Sequence, residues 1–540
     1  MFYTRPYISD SAIERPNHPE ESCAFKRRDH PENSNHPENP GYPENPGCPE
    51  RPDHPEESCA VFGVYAPGED VSRMTYFGLH ALQHRGQESA GIAVGDGTGV
   101  LATKDVGLVT QVFNESALAT LTGYVAIGHT RYGTNSNSSL WEAAQPHLST
   151  IGDQIIALAH NGRLVNTMAL RKRLIDLGVD FRSTTDSEVA AKLIGYFTQE
   201  THHMREGIRK TMELIEGAYA MALITPEALY AFRDPNGIRP LSIGRLPDKR
   251  GWVLASETCG LDIVGAEFVR DVEPGEIIRI NGIGDDDLIS ERALVPRKRA
   301  LCIFEYVYFA RPDSTLDGQG VFEARVEMGR RLALEASVDA DIVIGVPDSG
   351  IPSAIGYAEA SGIHYTEGIV KNRYVGRTFI NPTQALRQRG IRLKLNPLSA
   401  TISGKRLIVI DDSIVRGNTS RQLVQMLRDA GAREVHMGIV SPPVLWPCFY
   451  GIDTDTQDQL IASNNTVEEI RKHIGSDSLH FISYEGLLAS VRSNHPGYCT
   501  ACFSGSYPIK VSKQMQDESF CGSLEPSWWP QENHGMKSLF

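Results

Sequence analysis

Leu407-Ile408-Val409-Ile410-Asp411-Asp412-Ser413-Ile414-Val415-Arg416-Gly417-Asn418, followed by Thr419 and Ser420, decides the reading of the second half of this chain. An apolar run ends in two adjacent carboxylates, passes through a short loop with a glycine, and enters a helical pattern opened by hydroxyl residues. A strand delivering Asp411 and Asp412 to its carboxyl end can hold two vicinal hydroxyls of a sugar. The loop behind it turns backbone N–H groups and a helix N-terminus toward a phosphate. Together they suit a ribose 5-phosphate.

Outward from this stretch, strand and helix patterns alternate. Asp341–Val346 reads as a strand, Ser349–Ala360 as a helix, Arg406–Ile410 as a strand, Thr419–Ala430 as a helix and Glu434–Ser441 as a strand. Such alternation predicts a mainly parallel sheet wrapped by helices, with ligands at the carboxyl ends of its strands. A second strand end, Val346-Pro347-Asp348-Ser349-Gly350, is built to wrap a diphosphate with amides and a hydroxyl. A third segment, Lys371-Asn372-Arg373-Tyr374-Val375-Gly376-Arg377-Thr378, carries three cations around a glycine and suits a lid over the same anion. Lys394 and Lys405 are further phosphate candidates, and a diphosphate leaving group calls for Mg²⁺.

The region from Cys59 to about Pro296 is different in kind. Short apolar runs (Val125–Gly128, Ile155–Ala159, Ala218–Ile224, Glu276–Ile280) alternate with turns, and two helical stretches stand out at Asp186–Glu200 and Arg205–Glu216. This predicts an α+β domain of stacked sheets and helices. Residues 1–58 are crowded with Pro, Glu, Asn and His, and His18-Pro19-Glu20-Glu21-Ser22-Cys23-Ala24 recurs as His54-Pro55-Glu56-Glu57-Ser58-Cys59-Ala60. Such a segment cannot offset its ordering entropy and reads as disordered; residues 511–540 read as a polar, disordered tail. The expected organisation is therefore 1–58 extension, 59–296 first domain, 297–510 second domain and 511–540 tail.

Bulk composition narrows the function. A chain of 540 residues exceeds one ordinary domain. No apolar run reaches the roughly 18–20 residues of a membrane span, and a formal net charge of −14 argues against non-specific nucleic-acid binding. Nine cysteines over this length are not a secreted disulfide framework. With no signal or transit pattern, the expected location is cytoplasmic.

Cys59 stands where the repetitive segment gives way to the strand-like Ala60-Val61-Phe62-Gly63-Val64-Tyr65. Were the chain cut before it, the freed α-amine, with a pKa of about 7.7–8.0, could serve as general base to its own thiol. Downstream lie His84-Arg85-Gly86-Gln87-Glu88, His129-Thr130-Arg131-Tyr132-Gly133-Thr134, His160-Asn161-Gly162 and Thr185-Asp186-Ser187. Asn161 and Gly162 offer a side-chain amide and a backbone N–H as an oxyanion hole. Arg131 can hold a carboxylate and Asp186 an α-ammonium, so the set fits a free α-amino acid bound beside a thiol.

On these motifs the chain resembles the amidophosphoribosyltransferases over residues 59–510. The first half resembles the Ntn-type class II glutaminases and the second the type I phosphoribosyltransferases. Tyr76-Phe77-Gly78-Leu79-His80, Asp234-Pro235-Asn236-Gly237-Ile238-Arg239-Pro240-Leu241 and Glu305-Tyr306-Val307-Tyr308-Phe309-Ala310-Arg311-Pro312-Asp313-Ser314 match that family too. The resemblance implies an αββα glutaminase fold followed by a phosphoribosyltransferase fold. It implies Cys59 as nucleophile, Asn161 and Gly162 as oxyanion hole, and Arg131, Thr134 and Asp186 as glutamine ligands, with Arg85 and Gly86 lining the pocket. For phosphoribosyl pyrophosphate (PRPP) it implies Asp348, Ser349, Gly350, Lys371, Arg373, Lys394, Lys405 and residues 411–419 (Asp411, Asp412, Ser413, Ile414, Val415, Arg416, Gly417, Asn418, Thr419). Magnesium would be held at Ser349, Asp411 and Asp412. Ammonia channelling to the PRPP site, a coupling region around Tyr308, feedback by purine nucleotides and a homotetramer are further implications.

Cys302, Cys448, Cys499 and Cys502 need a separate account. Four thiolates suit zinc as well as iron, and one branch of the family carries a 4Fe-4S cluster and a processed propeptide, with ligands matching these four positions. Cys259 reads as a core residue, and Cys23, Cys48 and Cys521 fall in segments read as disordered. Two features depart from the family: Ala60 replaces the usual glycine, which would narrow the glutamine pocket, and the leader is long. A chain left uncut would be an ammonia-dependent phosphoribosyltransferase or a regulatory pseudoenzyme. An Ntn amidotransferase acting on fructose 6-phosphate is disfavoured by the Asp411–Ser420 loop.

Overall fold

The computed structural model describes residues 59–132, 141–372, 394–452, 454, 456–492 and 497–511. Residues 1–58, the tail beyond Val511, Thr134 and Arg373 lie outside the described residues.

The first half is organised around the strand Ala60–Tyr65. All six of its residues are buried, because it is paired antiparallel on both sides, to Trp252–Ala255 and to Val125–Arg131. The period-two alternation of a strand then sorts its side chains. Ala60, Phe62 and Val64 pack into a core with Val71, Leu79 and Leu82 of the helix Val71–Ala81 and its end. Val61 and Tyr65 join a second core with Ala157, Ala159, Ala220 and Ala222 from another sheet. The expected crowding of the glutamine pocket by Ala60 is therefore corrected: its methyl sits on the helix-covered face, among apolar neighbours.

The seven-stranded sheet runs Glu267–Asp271, Ser242–Arg245, Trp252–Ala255, Ala60–Tyr65, Val125–Arg131, Ser89–Gly95, Val100–Val106. The six-stranded sheet runs Leu288–Arg292, Glu276–Ile280, Leu229–Arg233, Gly217–Ile224, Gln154–Leu164, His147–Ile151. The outer face of the second sheet is covered by Thr167–Asp176, Asp186–Thr201 and Met204–Leu214, whose Leu170, Val189, Ile194, Ile208 and Met212 form a third core. The layers read αββα.

In the second half Ile342–Gly345, Arg406–Asp411, Glu434–Ile439 and Ser478–Phe481 form a parallel sheet in that order. The first two strands feed the helices Gly350–Ser361 and Asn418–Asp429. One face packs Met328 and Leu332 of helix Val321–Glu335 against Ala354 and Tyr357. The other packs Leu423, Val424 and Leu427 against Ile470 and Ile474. An antiparallel ribbon, Ile369–Lys371 with Leu395–Pro397, stands beside the sheet in sequence.

The two halves share one core. Val165, Ala218 and Ile238 from the first sandwich cluster with Phe304, Val307, Tyr450 and Phe503. Val511, assigned by composition to the tail, is buried in that core. No helix among the described residues is long and apolar enough to cross a membrane.

Candidate functional site

Strand register brings the first site together. Ala60 pairs with Thr130, which sets Cys59 against the end of the Val125–Arg131 strand. Burial pushes the Cys59 thiol up to about 12, with the Arg131 guanidinium pulling it down and the Asp186 carboxylate pushing it up. As the chain stands, the sulfur is a thiol at neutral pH and needs a base. Asp186 opens the helix Asp186–Thr201, and its Oδ2 accepts from Leu164 N at 2.9 Å, which fixes it over the end of Gln154–Leu164.

Asn161 and Gly162 lie on that strand. Asn161 is fully buried, and among the described residues neither its Oδ1 nor its Nδ2 has a hydrogen-bond partner. Leaving such a group unpaired costs roughly 1–3 kcal/mol per partner lost, so an unpaired buried amide in an otherwise bonded strand marks a place where a ligand completes the bonding. Gly162 has φ +138°, and a Cβ there would meet Ala218 O at 2.0 Å. The strand can take this path only with glycine. Arg131 Nη1 is likewise buried without a hydrogen-bond partner.

The surrounding histidines are held neutral. Burial lowers His129 to about 3 and drives His160 and His147 down as well. His129 and Gln145 both contact the His160 carbonyl, with His129 Nε2 at 3.0 Å, while His160 Nδ1 meets Ser187 Oγ at 3.1 Å. These contacts align the strand carrying Asn161. None of them was singled out as functional from the sequence.

Arg85 is where the structure corrects expectation. Its guanidinium is fully buried and committed to two carboxylates, Glu257 Oε1 at 2.5 Å and both oxygens of Glu305 at 2.8 and 2.9 Å. Its work is to join the halves, and Gly86 keeps the place beside the pocket: a Cβ there would lie 2.7 Å from the Arg131 backbone. Glu257 also accepts from His84 Nε2, Arg311 N and Ser314 Oγ, and its contacts with His84 and Arg85 hold it well below the usual carboxylate range against the cost of burial. Arg325, buried behind this junction, donates to the carbonyls of Tyr306, Tyr308 and Ala310 at 2.8 Å each. It thus closes the turn Glu305–Phe309 that contains Tyr308.

In the second site, Asp411, Asp412 and Ser413 are all buried at the carboxyl end of the central strand Arg406–Asp411. Ser349 Oγ donates to Asp412 Oδ2 at 2.5 Å, and Ser413 Oγ to Asp412 Oδ1 at 2.8 Å. The two loops picked out in the sequence thus meet. Gly350 allows it, since a Cβ there would meet Ile410 O at 2.4 Å. The helix Asn418–Asp429 begins after Gly417, which takes φ +85° and provides no side-chain cap. The first turn of that helix thus stands at this loop with Ile414, Val415, Arg416 and Thr419, a helix N-terminus of the kind that suits an anion. Lys371 Nζ bonds Asp348 Oδ2 at 2.6 Å, and Asn372 N donates to Lys394 O, so the ribbon's basic end stands at the Asp348 loop. Lys405 does not belong here. It is exposed at the opposite end of the strand, six residues before Asp411, or about 20 Å along the chain.

The four cysteines converge from three segments. Cys302 pairs in register with Cys499 in a short parallel bridge, Leu445 and Trp446 both donate to Cys502 O, and Cys448 Sγ accepts from Tyr450 N at 3.4 Å. Burial pushes Cys302 up to about 12 and drives Cys499 and Cys502 well up, each thiol adding to the others. Among the described residues, no three His, Cys, Asp or Glu side chains stand close enough together to hold one metal ion.

An αββα sandwich with a half-buried thiol and an open amide, joined to a parallel sheet with a paired-acid loop, defines a glutamine-using phosphoribosyl transferase. The glutamine amidotransferase domain family matches residues 134–262. The amidophosphoribosyltransferase of Synechococcus elongatus is 54% identical over 85% of this chain and 93% of its own length, and that of Bacillus subtilis 49% identical over 84% and 95%. The solved structure of the allosteric regulatory enzyme of purine biosynthesis superposes with a TM-score of 0.79 at 48% identity, covering 85% of this chain and 97% of that one. The B. subtilis glutamine PRPP amidotransferase complexed with ADP and GMP superposes at 0.77, also 48% identical, covering 84% and 98%. The chain belongs to the amidophosphoribosyltransferases. It is a glutamine-dependent pentosyltransferase of purine biosynthesis.

Proposed function

We propose that the two sites act in sequence on glutamine and PRPP. Cys59 Sγ attacks the glutamine amide carbon, the oxygen takes up negative charge against Asn161 and Gly162, and ammonia leaves as a thioester forms. Water then hydrolyses the thioester to glutamate. The ammonia passes inside the protein to C1 of the ribose, where the C–N bond forms as the C–O bond to pyrophosphate breaks, giving 5-phosphoribosylamine. The observation that carries this reading is the buried, unpaired Asn161 amide. Arg131, Thr134 and Asp186 would fix the ends of glutamine, with the α-amine freed by removal of residues 1–58 as base.

At the second site the oxygens of Asp411, Asp412 and Ser349 suit a hard cation, and Mg²⁺ there would neutralise the leaving diphosphate. Ser413, Ile414, Val415, Arg416, Gly417, Asn418 and Thr419 would cradle the 5-phosphate, and Asp348, Ser349, Gly350, Lys371, Lys394 and Arg373 the diphosphate. Four thiols drawn from three segments, Cys302, Cys448, Cys499 and Cys502, would suit a 4Fe-4S cluster with a structural or oxygen-sensing role, with zinc the chemical alternative. Inhibition by purine nucleotides is supported by the relative crystallised with ADP and GMP, and a homotetramer is part of the same reading. Intact mass of anaerobically purified protein tests it: a chain starting at Cys59 with both glutamine- and ammonia-dependent synthesis is expected. A chain beginning at Met1 that uses only ammonia would overturn the glutamine half.

A further inference from the structure

Gly162 is held from both sides. On one side is Ala218, its neighbour's partner across the sheet; on the other is the loop that follows Cys448. Gly451 takes φ +115°, and a Cβ placed on it would lie 3.4 and 3.5 Å from the C and Cα atoms of Gly162 and 3.1 Å from Arg239 Nη2. The loop therefore lies flat against the oxyanion strand with a guanidinium edge beside it. Arg239 is fully buried. Its Nε and Nη2 donate to Tyr450 O at 3.2 and 3.0 Å, and its Nη1 to Glu305 Oε1 at 3.3 Å. At its other end the loop is fastened at Cys448, whose N donates to Thr454 Oγ1 at 3.0 Å and whose Sγ accepts from Tyr450 N.

We propose that Gly451 and Arg239 are positioning residues of the glutamine site, bracing Gly162 from the side of the four-cysteine segment so that the Asn161–Gly162 donors keep their place. This rests on the oxyanion reading of Asn161 and Gly162. Neither residue touches glutamine; each acts on the donor strand. A side chain at 451 crowds the Arg239 guanidinium and strains a backbone at φ +115°, so the loop must shift from its seat on Gly162. A lysine at 239 keeps the charge beside Glu305 but gives up the paired donation to Tyr450 O. The brace also gives the thiol segment a route to the glutamine chemistry through three peptide units, from Cys448 by way of Tyr450 to Gly451.

The test is a comparison of Gly451→Ala and Arg239→Lys with the unsubstituted protein, all purified without oxygen and matched for iron content. A misplaced donor weakens the tetrahedral state and not glutamine binding. Expected are a fall of about tenfold or more in glutamine-dependent kcat, a glutamine KM within about threefold, and ammonia-dependent synthesis within about twofold. Affinity for the aldehyde analogue of glutamine, which becomes tetrahedral on the thiol, should fall in parallel with kcat. Amide exchange in 158–164 should quicken. Glutamine-dependent kcat within twofold of the unsubstituted protein in both variants, or equal loss of both activities, overturns the proposal. Asn161→Ala separates the readings: if it too leaves glutamine turnover unchanged, the oxyanion assignment has failed and the brace with it; if it alone is impaired, only the brace has failed.

Discussion

Arg85 and Glu305 form a two-pronged pair, Nη1 to Oε2 at 2.9 Å and Nη2 to Oε1 at 2.8 Å, with both side chains fully buried and 220 residues apart in sequence. One partner belongs to the thiol half and the other to the turn that leads to the sugar-phosphate half. Glu305 also accepts from Arg239, so a single carboxylate compensates two cations. Removing one member of a buried pair leaves an uncompensated charge, at a cost of about 3–5 kcal/mol. Glu305→Gln is expected to lower the unfolding midpoint markedly and to weaken glutamine use more than ammonia use. Denaturant unfolding together with the ratio of the two activities checks this. Unchanged stability would mean the pair is not what joins the halves.

Asn161→Ala should reduce glutamine-dependent turnover by about 10²- to 10³-fold, the usual cost of one oxyanion donor. Because the native amide has no partner among the described residues, the substitution should not destabilise the fold. Equal thermal midpoints with a collapsed glutaminase rate is the expected pairing, read by scanning calorimetry and glutamate release.

Ser349→Ala removes the bond that links the diphosphate loop to Asp412. Hydrogen bonds to charged groups contribute about 1.5–3 kcal/mol. The KM for PRPP should rise about tenfold or more, while glutaminase activity measured without PRPP stays unchanged. Lys405→Ala, by contrast, should leave PRPP kinetics untouched. A rise in KM for the lysine variant would contradict its location.

Stability should fall as the pH drops below about 6.5. His129, His147 and His160 are all driven below their ordinary value by burial, His129 to about 3. A histidine depressed in the folded state takes up its proton only on unfolding, so stabilisation is full above the ordinary pKa of about 6.5 and is lost progressively below it. Each contributes up to about 1.4 kcal/mol per pH unit in that window. Glu257, also depressed, adds a loss of the same sign in a lower window, below the ordinary carboxylate value. Urea unfolding from pH 7.5 to 5 checks the slope, and His129→Asn should flatten it.

Both folds were legible because their signals are local. The run Leu407–Asn418 carries strand, acid pair and helix entry in one stretch; the strand runs one residue further than read, to Asp411, and the helix begins one residue earlier, at Asn418. The order Cys59, Arg131, Asn161, Asp186 likewise named residues that register then gathers. What could not be read were relationships between distant segments. Glu257 and Glu305 have no neighbouring motif to mark them, so Arg85 looked available to a ligand when it was already engaged. Lys405 looked like a phosphate ligand because proximity in sequence hides which end of a strand a residue occupies. Ala60 was misjudged for want of knowing which face its methyl takes. Gly451, within a stretch with no recognisable pattern, gave no signal at all.

The strand that begins at Ala60 lies in the interior of its sheet, hydrogen-bonded to neighbours on either flank. Cys59, at the start of that strand, therefore stands at an interior strand of the sheet and not at a free sheet edge. Were a leader removed ahead of Cys59, as proposed, the cut would uncork a vessel whose central strand is already built in. For protein engineering, an affinity handle fused ahead of Cys59 would act as a stopper, whereas the surface near Lys405 leaves both chambers clear.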